Sequence, residues 1–327
     1  MQLHTSLRFL LQQTPLCPPS ITPAPTLTPE PAPVLLPGWE SVNIETLCLT
    51  IEEDYQRYKD LEVTVAEQNI ASLLTHTFSS LGITIADHTG DCPASLVVTF
   101  NAVPVSDWYD YTETLETYHC YSGVEAFGSL VLEYPGLDPY SFPLDNTFSP
   151  EQQLETCPEA PQPETYFPAI WLHKVILGLV DIWGIQAYFP FLEQEDLRVS
   201  VLNTAVSLSA TSGEEDFLRE KLGSQNEDIR FAALTLLHSL DPETLQQDTI
   251  DSMIGLLSDE SFLIRSSAIY EVGDLGSRAR IAVPILIEMA NHDPNPPVIF
   301  DALQKISGES FGEDLSAWQQ WWQSAKP

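Results

Sequence analysis

Apolar positions in the second half of the chain recur on a helical period. Three segments superpose: DLRVSVLNTAVSL at 196–208, DIRFAALTLLHSL at 228–240 and LIRSSAIYEVGDLG at 263–276. They align on Arg198, Arg230 and Arg265, which stand 32 and 35 residues apart. The third residue on is Val201, Ala233 or Ala268, and the fourth is Leu202, Leu234 or Ile269. The seventh is Ala205, Leu237 or Val272, and the tenth is Leu208, Leu240 or Leu275. Offsets of three, four, seven and ten share one helix face. A fourth copy keeps this frame with Ile299 in place of the arginine, followed by Ala302, Leu303 and Ile306. Apolar patterning predicts second helices at about 214–222, 249–258 and 280–291, and Leu315, Trp318, Trp321 and Trp322 share a face that closes the last unit. Self-similarity at this period, two helices per unit, predicts an all-α helical solenoid of about four repeats over residues 185–327.

The first half carries other periods. Leu47, Leu49 and Ile51 alternate as in a strand, as do Val124, Ala126, Leu130 and Leu132, and SLVVTFNA at 95–102 reads as a further strand. In VAEQNIASLLTHTFSSL (65–81), Ile70, Leu73, Leu74, Phe78 and Leu81 fall on one helical face, which Gly82 ends. A short strand is expected at 83–86 and an edge strand at 141–148, where Pro143 suits an edge. The expectation is an α+β domain over 39–184, an antiparallel sheet with covering helices. Its last element, a helix from about Pro168 to Trp183 stopped by Gly184, is apolar on nearly all sides and interrupted by Lys174 and Asp181. Such a helix is too charged for a membrane span and needs cover on more than one face. It is therefore expected to join the two domains firmly. Residues 1–38, with PPSITPAPTLTPEPAPVLLP at 18–37, show neither period and read as a disordered Pro/Thr spacer.

Charge narrows the partners. The net charge is −34, with only 13 lysines and arginines, and no Lys or Arg lies between Lys59 and Lys174. Nucleic acid and anionic lipid are bound mainly through those cations, so both are excluded as direct partners. The five cysteines, Cys17, Cys48, Cys92, Cys120 and Cys157, all precede the repeats and show no zinc-knuckle spacing. Four in one domain read as two disulfides, hence an extracellular or envelope compartment. Strand order suggests Cys120 with Cys157 and Cys48 with Cys92. The apolar patch LRFLL near the N-terminus is too short for a secretory leader, and Cys17 after Thr14-Pro15-Leu16 makes a poor lipid-anchor site.

The segment IRSSAIYEVGDLGSRARIAVPILIEMANHD (264–293) resembles a HEAT repeat of the bacterial type related to the phycobilin lyases. Asp228-Ile229-Arg230, Ala268, Gly273, Gly276 and Pro284 carry the likeness, which covers about 194–325. The resemblance implies an architecture rather than an activity. In such stacks an arginine reaches an acidic group of the neighbouring repeat, and Asp196, Asp228 and Asp259 are available to Arg198, Arg230 and Arg265.

No catalytic signature, cofactor motif or metal-ligand spacing is present. His119 and Cys120 are adjacent, which on a strand sends them to opposite faces. The acidic stretch SDWYDYTETLE holds Asp107, Asp110, Glu113 and Glu116 but no calcium-loop spacing, and it is dense in aromatics: Trp108, Tyr109, Tyr111 and, nearby, Tyr118. Aromatics on a loop suit recognition. The reading that follows is a non-catalytic, secreted or envelope-associated scaffold that binds a protein partner through the solenoid face, the aromatic loop or both. Two alternatives stand beside it: a lyase-like enzyme acting on a small ligand, and a calcium-dependent adhesion module.

Overall fold

The computed structural model describes residues 30–54, 64–86, 92–104, 108–113, 116–121, 124–147, 166–194, 198–292 and 296–325. Apart from the separate pair β4 (Trp108–Glu113) and β5 (Glu116–Tyr121), the N-terminal region is built on β1 (Thr46–Asp54), α1 (Thr64–Ser80), β2 (Thr84–Ile85), β3 (Ser95–Pro104), β6 (Val124–Glu133), β7 (Tyr140–Pro143) and β8 (Asn146–Thr147). These strands form a six-stranded sheet in the order β2-β1-β3-β6-β7, with β8 also pairing β6. The expectation of an antiparallel sheet fails at β1, which pairs in parallel with both β2 and β3, so the sheet is mixed. The physical reason is the connection. A helix between two strands lets the chain return in the same direction, and α1 provides that crossover. From β3 onward the pairing is antiparallel, Leu96 opposite Leu132 and Val98 opposite Leu130.

Local signals mark where α1 stops. Ile70, Leu73, Leu74, Phe78 and Leu81 are all buried, as the helical period requires. Gly82 then takes φ 74°, and its N–H donates to Ser79 O while that of Ile83 donates to Phe78 O. This pair of bonds is the glycine-terminated cap that satisfies the last carbonyls of a helix.

The expectation of a disordered Pro/Thr segment fails near its C-terminal end. Residues 32–36, expected to be disordered, are part of the core, with Ala32, Val34 and Leu36 buried. Ala32 N–H donates to Leu81 O and Leu35 N–H to Ile182 O, so this strap lies against the ends of two helices. Residues 1–29 of the expected spacer lie outside the described residues.

Helix α2 (Tyr166–Trp183) is the junction. Leu172, Val175, Ile176, Leu179, Ile182 and Trp183 are buried, and the helix packs on α1, on β6, β7 and β8, and on the first helix of the C-terminal region. At Gly178 a Cβ would come within 3.0 Å of the Phe142 ring, so the helix backbone rides directly on the sheet. Phe78 meets Trp183 edge-on at 5.3 Å. Two short 3-10 turns, Ile185–Ala187 and Phe189–Glu193, follow and are almost wholly buried. One hydrophobic core runs without a break from residue 32 to Trp318.

The C-terminal region is helical: α3 (Arg198–Ala205), α4 (Glu215–Lys221), α5 (Glu227–Leu237), α6 (Gln247–Gly255), α7 (Phe262–Asp274), α8 (Val283–Ala290), α9 (Pro296–Ser307) and α10 (Leu315–Ala325). The odd-numbered helices pack in series, α3 on α5, α5 on α7, α7 on α9. Among the even-numbered helices α4 packs on α6 and α8 on α10, and α6 meets the turn Gly276–Ala282 that enters α8. Val201, Ala233, Ala268 and Ala302 are at most 2% exposed, as are Ala205, Leu237, Val272 and Ile306, so the predicted frame is the packed one. A close approach falls five residues past Ala268, where a Cβ on Gly273 would sit 3.1 Å from Ala302 Cα. Trp318 is fully buried under the last pair, its Nε1 donating to Gly312 O.

Candidate functional site

Two arginines of the aligned series each reach the next first helix. Arg198 donates from Nε to Asp228 Oδ1 at 2.9 Å, and its Nη2 lies 2.7 Å from the same oxygen. Arg230 donates from Nη2 to Asp259 Oδ1 at 2.9 Å, with Nε 2.8 Å from Oδ2. Its Nη1 also donates to the carbonyls of Ser224 and Gln225, six and five residues back. Arg265 repeats that local half, Nη1 donating to the carbonyls of Asp259 and Glu260 at the same two offsets. Asp196, the remaining candidate partner, lies outside the described residues.

Burial separates the rungs. The Arg198 side chain is 50% exposed, whereas those of Arg230 and Asp259 are 8% and 9% exposed. Burial works against charge on Asp259, yet the bonds from Arg230 and from the Ser261 amide hold its carboxyl below the usual value. An ion pair this enclosed carries a geometric constraint: losing one member strands a buried charge. Farther along the same helices, Glu271 accepts from His238 at 2.8 Å and Lys305 donates to Asp274 at 3.0 Å. These bonds bridge α5 to α7 and α7 to α9, so the first-helix layer is tied at both ends.

The other cations of the described helical region are also directed inward. Arg219 bonds Gln246 and pairs with Asp216, while Arg278 donates to the carbonyls of Pro242 and Leu245. Arg280 lies 5.6 and 5.8 Å from the rings of Trp321 and Trp322 and donates to Ala325 O, fastening the last helix. Lys221 stands 4.8 Å over the Phe217 ring. Glu214 does comparable work at the junction, one oxygen accepting from Ile185 N–H and the other from Thr211. Sequence periodicity points to the first-helix arginines only. Arg278 and Arg280 sit between copies, and their signal was rarity: cations in a chain nearly without them.

The remaining candidates divide. Cys48 and Cys92 are joined in a disulfide, with Cα atoms 5.8 Å apart across a separation of 44 residues. The strand order behind a Cys120–Cys157 pairing, with Cys120 opening the strand that carries Val124 to Leu132, does not hold. Cys120 lies within β5 (Glu116–Tyr121), opposite Tyr109, and Cys157 falls outside the described residues. The aromatic loop is a correction of the same kind. Trp108, Tyr109 and Tyr111 lie on β4 (Trp108–Glu113), which pairs β5 in a separate two-stranded ladder with Tyr111 opposite Tyr118. Alternating aromatics fit a strand as well as a loop, and strand propensity wins here. Ala268 is buried, and Pro284 opens α8 where a missing N–H costs nothing. Among the described residues no group of three His, Cys, Asp or Glu is placed to hold a metal ion. No described helix is long and apolar enough to cross a membrane.

Residues 215–307 match the family model for HEAT repeats. That span runs from α4 through α9 and contains the Arg230–Asp259 rung. No curated protein matches the chain.

Proposed function

We propose that this chain is a non-catalytic scaffold of bacterial origin whose HEAT-type helices form a solenoid and bind a protein partner. The observation that carries the reading is that the scarce cations of the helical region are spent on ties between helices rather than on a site. Arg198, Arg230, His238 and Lys305 are committed to neighbours within the first-helix layer, which fixes the stack. The second helices are tied as well, Arg219, Asp216 and Glu215 of α4 to Gln246 before α6 and Arg280 to α10, so the stack is a rigid surface of the kind that repeats present to partners. The Cys48–Cys92 disulfide supports a secreted or envelope location, since structural disulfides persist in oxidising compartments.

The test is crosslinking in intact cells with the full chain, followed by identification of the joined proteins. Saturable recovery of the same partner, competed by unlabelled chain, supports the scaffold. Failure to crosslink any protein saturably, or turnover of a small molecule by the purified chain, would sink it.

A further inference from the structure

The scaffold reading leaves open what the partner looks like, and the second-helix layer answers chemically. Its burial pattern repeats at offsets of 32 and 33, so Asp216, Asp248 and Ile281 occupy equivalent exposed positions. Arg219, Asp251 and Pro284 occupy a second equivalent row, half-buried to exposed, and Glu220, Ser252 and Ile285 a third. Two repeats thus show water polar and acidic side chains, while the third shows it aliphatic ones. Ile281 is 57% exposed, Pro284 is exposed, and Ile285 is half-buried. An aliphatic group on an otherwise polar layer marks a contact site more often than a single exposed leucine does.

The surroundings define the sign of what can sit there. α6, which packs against the turn bearing Ile281, carries Asp248 and Asp251, and Glu288 lies one turn past Pro284 and Ile285. Among the described residues the side chain of Asp248 has no hydrogen bond or ion pair, and Asp251 accepts from the neutral Gln247 amide alone. Arg278 is taken up by loop carbonyls and Arg280 by Trp321, Trp322 and Ala325 O, and His292 Nε2 stands 3.4 Å from Glu288 Oε1. Of these three carboxylates, that leaves Asp248 and Asp251 with no cation beside them among the described residues. An acidic partner would therefore be repelled, and a neutral one would leave carboxylates to be desolvated unpaired.

We propose that Ile281, Pro284 and Ile285, bordered by Asp248, Asp251 and Glu288, are the docking socket for a cationic, amphipathic segment of the partner protein. An aliphatic or aromatic side chain of that segment seats on α8, and flanking Lys or Arg side chains meet the carboxylates. The proposal rests on the scaffold reading and names the partner's chemistry.

Fluorescence anisotropy on the full chain tests it with two labelled peptides of equal length and charge, one alternating leucine with lysine and the other serine with lysine. The leucine peptide should bind about tenfold more tightly, the discrimination one buried aliphatic side chain gives. Ile281→Asp, an exposed change that spares the core, should bring it down to the level of the serine peptide. Asp248→Asn with Asp251→Asn should weaken both peptides and flatten their salt dependence. Phe262→Asp, at an exposed apolar position on α7, should change neither. Equal affinities for the two peptides, an Ile281→Asp chain that keeps the preference, or an equal loss in Phe262→Asp overturns the socket. A cellular partner still crosslinked by Ile281→Asp would also overturn it while leaving the scaffold standing, whereas a chain that crosslinks nothing removes the scaffold itself.

Discussion

In the helical half a buried position predicts another buried position about one repeat away; in the sheet half it predicts nothing beyond its own strand. Val201, Ala233, Ala268 and Ala302 can be found by sliding the sequence along itself, and all four are buried. Leu96 and Leu132 face each other across β3 and β6, yet no local feature of either names the other. Helical repeats store their contacts at short sequence distance, while a mixed sheet stores them in strand order. The difference also sets where each half is fragile: the helical half at small residues under close helix contacts, the sheet half where backbones cross.

The largest effect should come from Ala268→Asp. The side chain is fully buried, so the variant must either hold an unpaired charge there or open α7 from its neighbours. A loss of more than about 4 kcal/mol is expected by chemical denaturation, enough to unfold most of the region. Ala210→Asp, at a half-buried position past the matched frame, should cost less than about 1 kcal/mol. Equal losses would mean that the repeat frame does not govern packing.

The sheet half has its own extreme at Gly128. A Cβ there would fall 2.0 Å from the Thr99 carbonyl oxygen in the β3–β6 ladder, so Gly128→Ala must push the strands apart. We expect a loss of about 3 kcal/mol, in the range of severe overpacking. The disulfide offers a softer perturbation of the same half. Closing a loop across a separation of 44 residues is worth at most about 4 kcal/mol through the unfolded state, so Cys48→Ala with Cys92→Ala should lower the melting temperature without changing the fold. A double variant that melts like the parent would show that α1 and β2 hold β1 unaided.

Legibility followed this division. The frame of α3, α5, α7 and α9 was readable because each copy confirms the others, and α1 because its apolar face and Gly82 agree. The parallel pairing of β1 was available in outline, since strand, helix, strand is the order that permits it, but alternation inside a strand carries no direction. Composition misled at residues 32–36: proline and alanine suggest a spacer, while Val34 and Leu36 among them are core residues. Of the arginines, the two rungs at Arg198 and Arg230 were legible as a pattern. Which oxygen each reaches was not, because Asp228 stands two residues before its arginine and Asp259 six. That offset depends on how α7 is set against α5.

The two rungs make the next test. Arg230→Ala strands Asp259 and leaves a hole where an enclosed guanidinium sat, and should cost about 3 kcal/mol; Arg198→Ala also uncovers Asp228, 12% exposed, but removes a half-exposed guanidinium that water can replace, and should cost about 1 kcal/mol. Urea denaturation of both variants decides it. Similar costs would mean that burial does not set the strength of the ladder.

The smallest effect belongs to the far end of the same seam, where His238 Nδ1 stands 2.8 Å from Glu271 Oε2. Burial raises the Glu271 carboxyl above its ordinary value, and His238 opposes the rise without cancelling it. A carboxyl with a raised folded-state pKa binds its proton more tightly when folded. Its contribution is therefore favourable at and below the unfolded value and is lost as the pH climbs through the folded one. Asp259, with a lowered value, behaves in the opposite sense: its stabilisation is present above the unfolded value and is lost as the pH falls. Glu271→Gln removes the titration while keeping an oxygen to accept from His238. The variant should match the parent at about pH 3, well below the ordinary glutamate value, where the parent's carboxyl is protonated in both states. Above neutrality it should be the more stable of the two, by no more than about 1 kcal/mol. A Glu271→Gln chain that is less stable than the parent at neutral pH would show that the attraction of His238 outweighs the cost of burying the charge, and that this bond belongs with the Arg230–Asp259 rung rather than opposite it.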